Sequence, residues 1–225
     1  METNQMLAPL AALLFLCTAG LAALGSLYAA WRAIRNDGAG AGRVLAWVCL
    51  LLAAYTIVLG IGGLMGRERV VPAGAEKYFC ELDCHVAYVV TGLERVAADG
   101  GDGRLWLLTL RTRFDEKTTS PRRPPEAPIW PVPLRAALVA ADGHRFPPLA
   151  EDDPDSVRHA EGTVSLEQPL RPGEFYETKL VFRLPPDAVP NRLLLEDDIP
   201  ISPFLIGNER SPFHRPVYLG LPEQG

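Results

Sequence analysis

Two stretches without a charged side chain, from about Met6 to Trp31 and from Val44 to Gly66, constrain this chain more than anything else in it. Each reaches or exceeds the ~20 apolar residues that a helix needs to cross ~30 Å of hydrocarbon. The sequence therefore predicts a transmembrane helical hairpin over residues 1–66. The first run has no basic region before it and is about twice the length of a signal-peptide core, so it is expected to remain uncleaved. Cys17 follows Leu14-Phe15-Leu16, too bulky for a lipid-attachment site. It and Cys49 read as small apolar residues of the spans.

Arg32, Arg35 and Arg43 lie between the runs, and no Lys or Arg precedes the first. The positive-inside bias puts this connection in the cytoplasm, with the N-terminus and everything after Gly66 outside the inner (plasma) membrane. Arg67 and Arg69 oppose that bias and are outnumbered. Trp31 and Trp47 would sit at the cytoplasmic headgroup level. Gly25 and Ala29, and the cluster Gly60, Gly62 and Gly63, are expected to let the two helices pack closely on each other. Neither span holds an ionisable Asp, Glu, Lys, Arg or His, so an ion or proton pathway has nothing to run on.

The formal net charge is −5, and the part after residue 65 carries about −6. No basic stripe with interleaved aromatics is present, which argues against nucleic-acid binding. From Tyr78 onward the pattern has a period of two. In Arg104–Phe114 one parity reads Trp106, Leu108, Leu110, Thr112, Phe114; the other turns from Leu105 and Leu107 to Thr109, Arg111 and Arg113. That is a half-buried strand. Phe175–Leu184 repeats it. Arg135–Ala141, the turn Asp142-Gly143 and His144–Leu149 read as a hairpin. His85–Val90, Thr163–Leu166, Arg192–Leu195 and Val217–Leu221 are further strands, Gly100–Gly103 is a hairpin tip, and the acidic stretch Glu151–His159 is a loop. Many of the 21 prolines fall in the breaks, where no ladder donor is needed. Short strands with Gly/Pro turns predict an all-β immunoglobulin-like or cupredoxin-like sandwich over 78–225, joined to the hairpin by a linker at 67–77.

Leu170-Arg171-Pro172-Gly173-Glu174 leads into a strand that closes on Val181-Phe182-Arg183-Leu184-Pro185. This resembles the turn and strand of uncharacterised bacterial extracytoplasmic immunoglobulin-like domains. The resemblance covers about 16 residues and implies a fold and a setting outside the membrane, with no activity attached.

Cys80-Glu81-Leu82-Asp83-Cys84-His85 is the densest cluster of soft ligands in the chain. On the oxidising side of a membrane the two thiols would form a disulfide, bind something, or stay free. A bridge closing so short a loop adds little chain-entropy stabilisation. Cys80, Cys84 and His85 could instead hold Cu or Zn, with His214 as a fourth ligand. The architecture resembles subunit II of haem-copper oxidases, whose binuclear copper loop shares the Cys-x3-Cys spacing. That family sets its loop histidine four residues after the second Cys and follows it with Met. Here His85 is adjacent to Cys84 and Met65 is the last methionine. Haem c attachment uses Cys-x2-Cys-His, one residue shorter. His144 and His159 read as solvated, as do the loop acids Asp83, Asp115, Glu116, Asp197 and Asp198. No nucleophile elbow, zincin motif or phosphate-cradling loop occurs. The sequence thus predicts a non-enzymatic module in the lipid bilayer with a membrane or extracytoplasmic protein partner, Ser120–Pro133 being one interface. Metal handling or electron transfer at Cys80, Cys84, His85 and His214 is the alternative.

Overall fold

The computed structural model describes residues 4–79, 85–97, 103–116, 124 and 126–222. Cys80, Cys84, the acid Asp83, most of the expected tip at Gly100–Gly103 and the first part of the Pro-rich segment lie outside them. The chain forms two apolar helices followed by a β-rich domain of two sheets. It divides into two compact units. One holds the helices together with Pro200–Arg215; the other holds the strands.

Helix α1 spans Asn4–Ile34 and α2 spans Gly38–Met65. Both are long and apolar enough to cross a membrane. The connection is shorter than the sequence suggests, because Gly38–Gly42 is helical. Asn36 takes the left-handed conformation, at φ 63°, which asparagine tolerates better than most residues. Asp37 then caps α2, accepting from the Gly40 N–H at 2.8 Å while pairing with Arg32. The cap supplies a partner for an otherwise orphaned N–H, so a glycine-rich stretch can start a helix. Gly25 meets α2 directly: a Cβ there would lie 2.6 Å from Val48 Cγ2.

One sheet has the order β2(Lys77–Tyr78), β3(Val86–Val96), β4(Arg104–Phe114), β7(Phe175–Leu184), antiparallel throughout. The other runs β1(Arg69–Val71), β9(Val217–Gly220), β8(Pro190–Asp197), β5(Leu134–Ala140), β6(Arg145–Phe146), and the β1–β9 pair is parallel. One buried cluster draws Tyr88, Leu108, Leu110, Phe114 and Phe182 from the first sheet and Leu138, Leu193, Leu195 and Leu219 from the second. Each such side chain contributes roughly 1.5–3 kcal/mol by leaving water. The parity expected in β4 holds: its Trp106–Phe114 set faces this core. Leu105 and Leu107, on the opposite face, are buried with Val181 in a smaller cluster beside Leu149 and Ala160.

Four local expectations change. Thr163–Leu166 is not a strand. It is tied to the edge strand β7 through side chains, the Lys179 N–H donating to Thr163 Oγ1 at 2.7 Å and Thr178 Oγ1 to the Val164 carbonyl at 2.8 Å. Strand β6 stops at Phe146, since Pro147 and Pro148 have no N–H to donate. Glu151–His159 contains a short helix, α3(Pro154–His159), which Asp153 caps through the Asp155 N–H at 3.0 Å. Residues 69–71, expected in a linker, pair with β9 as β1. The expected turn at Pro172-Gly173 is present, with Gly173 at φ 81°.

Candidate functional site

A polar cluster in the β-rich domain links Glu76 and Tyr78, just before residues 80–84 in the chain, to Arg113 and Asp115. Register explains it. Tyr78 on β2 pairs with Ala87 on β3, and Ala87 pairs with Arg113 on β4. Directly paired residues share a face of the sheet. Ala87 projects only a methyl between the two larger side chains, which leaves the Arg113 guanidinium room to reach across β3. Arg113 donates to both carboxylate oxygens of Glu76, from Nε and from an Nη, each at 2.8 Å. This forked geometry is the strong form of an ion pair. The Tyr78 hydroxyl lies 2.8 Å from Glu76 Oε2 and 2.9 Å from Asp115 Oδ2, and Arg113 approaches Asp115 at 3.5 Å.

The electrostatics follow from that packing. Arg113 holds the Glu76 carboxyl below its ordinary range, the direct hydrogen bond being the largest cause. Burial pushes the Tyr78 phenol up, and the two carboxylates facing it add to the effect. Tyr78 therefore stays a proton donor, with one hydroxyl proton between two acceptors. The cluster carries two acids and one base, and its charges face one another.

It brackets residues 80–84 of the chain from both sides. Tyr78 stands two residues before Cys80. At the other end the Asp115 N–H donates to the His85 carbonyl at 2.7 Å. The His85 ring is buried and stacks on Phe114, centroids 5.5 Å apart and planes at 20°. Strands β2, β3 and β4 thus fix the two ends of a segment whose residues 80–84 lie outside the described ones.

Of the four residues expected to form a metal site, His85 and His214 are among the described residues. His85 belongs to the β-rich unit, whereas His214 belongs to the helical unit, where its ring stands against Gly66. Cys80 and Cys84 lie outside the described residues. Among the described residues no three His, Cys, Asp or Glu side chains converge in a metal-holding group. His144 is exposed and pairs with Asp142 at 2.9 Å. His159 is exposed, with its ring nitrogen 2.9 Å from the Ala97 carbonyl. The expectation of solvated acids needs correcting at two positions: Asp115 and Asp197 are buried. Asp198 pairs with Arg135 at 2.7 Å.

The sequence reading missed Glu76, Tyr78 and Arg113. A signal exists in hindsight, because Glu76/Tyr78 and Arg113/Asp115 are each two residues apart and so lie on one side of an extended chain. Joining the two pairs requires knowing that β2 and β4 flank β3.

No protein-family model and no curated protein matches this chain. Among solved structures it is similar to MPT63, a secreted protein of Mycobacterium tuberculosis, at 14% identity with a TM-score of 0.43 over 59% of this chain and 92% of that one. It is also similar to the yjhA protein of Bacillus subtilis, at 14% identity and a TM-score of 0.38, covering 67% of this chain and 98% of that one. A conserved hypothetical protein of Bacillus anthracis gives 11% identity and a TM-score of 0.34, over 55% and 87% respectively. None of the three indicates a function.

Proposed function

We infer that this chain is a two-pass membrane anchor carrying an extracytoplasmic immunoglobulin-like β-sandwich, which binds a protein partner or supports a membrane complex without chemistry of its own. The observation that carries the reading is the surface of the helices. Leu16, Leu24, Leu27, Ile57 and Leu64 are all more than half exposed on the charge-free stretches of the two helices, an arrangement that water penalises and lipid does not. The three arginines around the connection favour a cytoplasmic turn. The Glu76–Arg113–Asp115–Tyr78 cluster fits a holding role better than a catalytic one, because both carboxylates are engaged by Arg113 and the Tyr78 hydroxyl. Trp130, 70% exposed in the Pro-rich segment, is the aromatic anchor such a partner would cover.

Carbonate extraction of membranes followed by protease protection tests the reading. The full chain is expected in the pellet, with the β-rich domain digested from the extracytoplasmic side alone. Release into the supernatant, or digestion from the cytoplasmic side alone, overturns it. For the partner, benzoylphenylalanine at position 130 should give one discrete photo-adduct in membranes, and its absence speaks against that interface.

The second reading is metal handling by Cys80, Cys84 and His85, and its support is the anchoring of both ends of their loop. Elemental analysis of purified full-length protein for Cu and Zn, with a thiol count, tests it. Stoichiometric metal lost in a Cys80→Ser/Cys84→Ser variant supports it, and metal-free protein without free thiols at these positions rules it out.

A further inference from the structure

The stretch Pro200–Arg215, between β8 and β9, does not join the sheets. It belongs to the helical unit, and it lies along the last part of α2. The Tyr55 hydroxyl donates to the Phe204 carbonyl at 2.6 Å, and Phe204 stacks on Phe15 of α1, with centroids 6.2 Å apart. Further along, a Cβ on Gly62 would lie 2.8 Å from Ile206, one on Gly63 would collide with the Pro212 carbonyl, and one on Gly66 with the His214 ring. Gly62 and Gly63, expected to pack helix on helix, instead make room for this segment, whereas a Cβ on Gly60 would only touch Phe213 at 3.9 Å.

Its depth along α2 is informative. Tyr55 is eleven residues before Gly66 and eleven after Val44, at the centre of the charge-free run. At 1.5 Å per residue that is about 16 Å from either end, the middle of a ~30 Å hydrocarbon layer. Phe204 therefore lies level with the centre of the span, and His214 level with its end. Residues 199–208 carry no charge. Glu209, Arg210 and Arg215 come only as the segment returns toward Gly66.

Non-helical backbone survives at such depth only if its polar groups are satisfied within the protein. Here successive turns supply partners for several of these groups. The N–H groups of Phe204, Leu205, Asn208, Ser211 and His214 donate to carbonyls three residues earlier, at 2.9–3.2 Å. Asn208 Oδ1 accepts from the Arg210 N–H at 2.7 Å. Meanwhile Ile201, Phe204 and Phe213 point outward, 42%, 53% and 71% exposed.

We propose that Pro200–Arg215 is a re-entrant membrane segment, entering the same leaflet as the end of α2 and presenting Ile201, Phe204 and Phe213 to lipid acyl chains. The proposal rests on the transmembrane reading of the helices. Its partner is the lipid itself, since the exposed side chains stand at the level of the apolar helix surface that lipid covers.

The test uses full-length protein in its own membranes, with Cys80→Ser and Cys84→Ser to remove the native thiols outside the spans. Phe204→Cys is compared with Asp187→Cys, an exposed position of the β-rich unit, using a membrane-impermeant maleimide on right-side-out and inverted vesicles. Asp187→Cys should label in one vesicle orientation. Phe204→Cys should label at least tenfold more slowly in both and react fully after SDS. Labelling of Phe204→Cys at the rate of Asp187→Cys, in protein that resists carbonate extraction, overturns the re-entrant segment and leaves the anchor intact. Loss of the protein from carbonate-washed membranes overturns the anchor and the segment together. Because Phe204→Cys could loosen the fold, benzoylphenylalanine at Phe213 provides a second measurement. Photo-adducts with radiolabelled phospholipid at 213 but not at 187 support the proposal; equal yields at both positions contradict it.

Discussion

The Nζ of Lys77 donates to the carbonyl of Leu195 at 2.7 Å, linking strand β2 of one sheet to strand β8 of the other. The same ammonium reaches the Val217 carbonyl of β9 at 2.9 Å and lies 4.8 Å from the centre of the Phe79 ring. A buried lysine is costly to desolvate, so it persists where several oxygens surround it. Here those oxygens sit on the facing sheet, and the side chain ties the two sheets together. Lys77→Met should lower stability by at least about 2 kcal/mol, because carbonyls of Leu195 and Val217 lose their charged donor in a buried setting. Urea unfolding of the detergent-solubilised chain measures this; an unchanged midpoint would show that Lys77 contributes nothing net.

The Glu76–Arg113 pair gives the domain an acid-sensitive contribution. Glu76 has a folded-state pKa below its ordinary value of 4.5. Its contribution is therefore complete above about pH 4.5 and is lost as pH falls through the lowered folded-state value. For a half-exposed forked pair the size is about 1 kcal/mol. Glu76→Gln should be less stable than the parent at pH 7, and the gap should narrow as pH falls below 4.5. Parallel stability curves for the two proteins from pH 7 to pH 3 would count against the pairing.

Ala87 is the position where size matters. Its methyl lies between Tyr78 and Arg113 on the same face, and the residue is 1% exposed. Ala87→Leu should break the reach of Arg113 to Glu76 and cost roughly 1–3 kcal/mol through overpacking. Ala87→Gly should cost less, about 1 kcal/mol, and keep the acid dependence that Glu76 confers. Thermal melts of the two variants at pH 7 and pH 4 separate the effects.

Tyr88 predicts the opposite sign. Its ring is fully buried, packs edge-on to Phe79 with centroids 5.5 Å apart, and its hydroxyl finds no hydrogen-bond partner among the described residues. An unsatisfied buried hydroxyl costs about 1–3 kcal/mol. Tyr88→Phe should therefore leave stability unchanged or raise it by about 1 kcal/mol. A clear loss in the same melt would reveal a buried water or another partner on that oxygen.

Some of this was readable residue by residue. Alternation in Arg104–Phe114 and Phe175–Leu184 identified two long strands, one central and one at a sheet edge, and the faces they bury, because a period of two is a local property of extended chain. The strand His85–Val90 was extended to Val96 by pairing with β4, and Thr163–Leu166 lost strand status because side chains, not backbone, hold it to β7. The short helix at Pro154–His159 was hidden in an acidic stretch, although Asp153-Pro154 is a helix-start signal. The polar cluster was missed because Glu76, Tyr78, Arg113 and Asp115 meet across three strands, and the register joining them is absent from any one of them.

The two membrane-length helices follow from the chain's composition alone, since a long run without charge has few alternatives, and so does the β character of the rest. The role of Gly62 and Gly63 emerges from long-range packing alone. A glycine announces that something comes close without saying what, and here the close neighbour is a segment about 150 residues further along the chain.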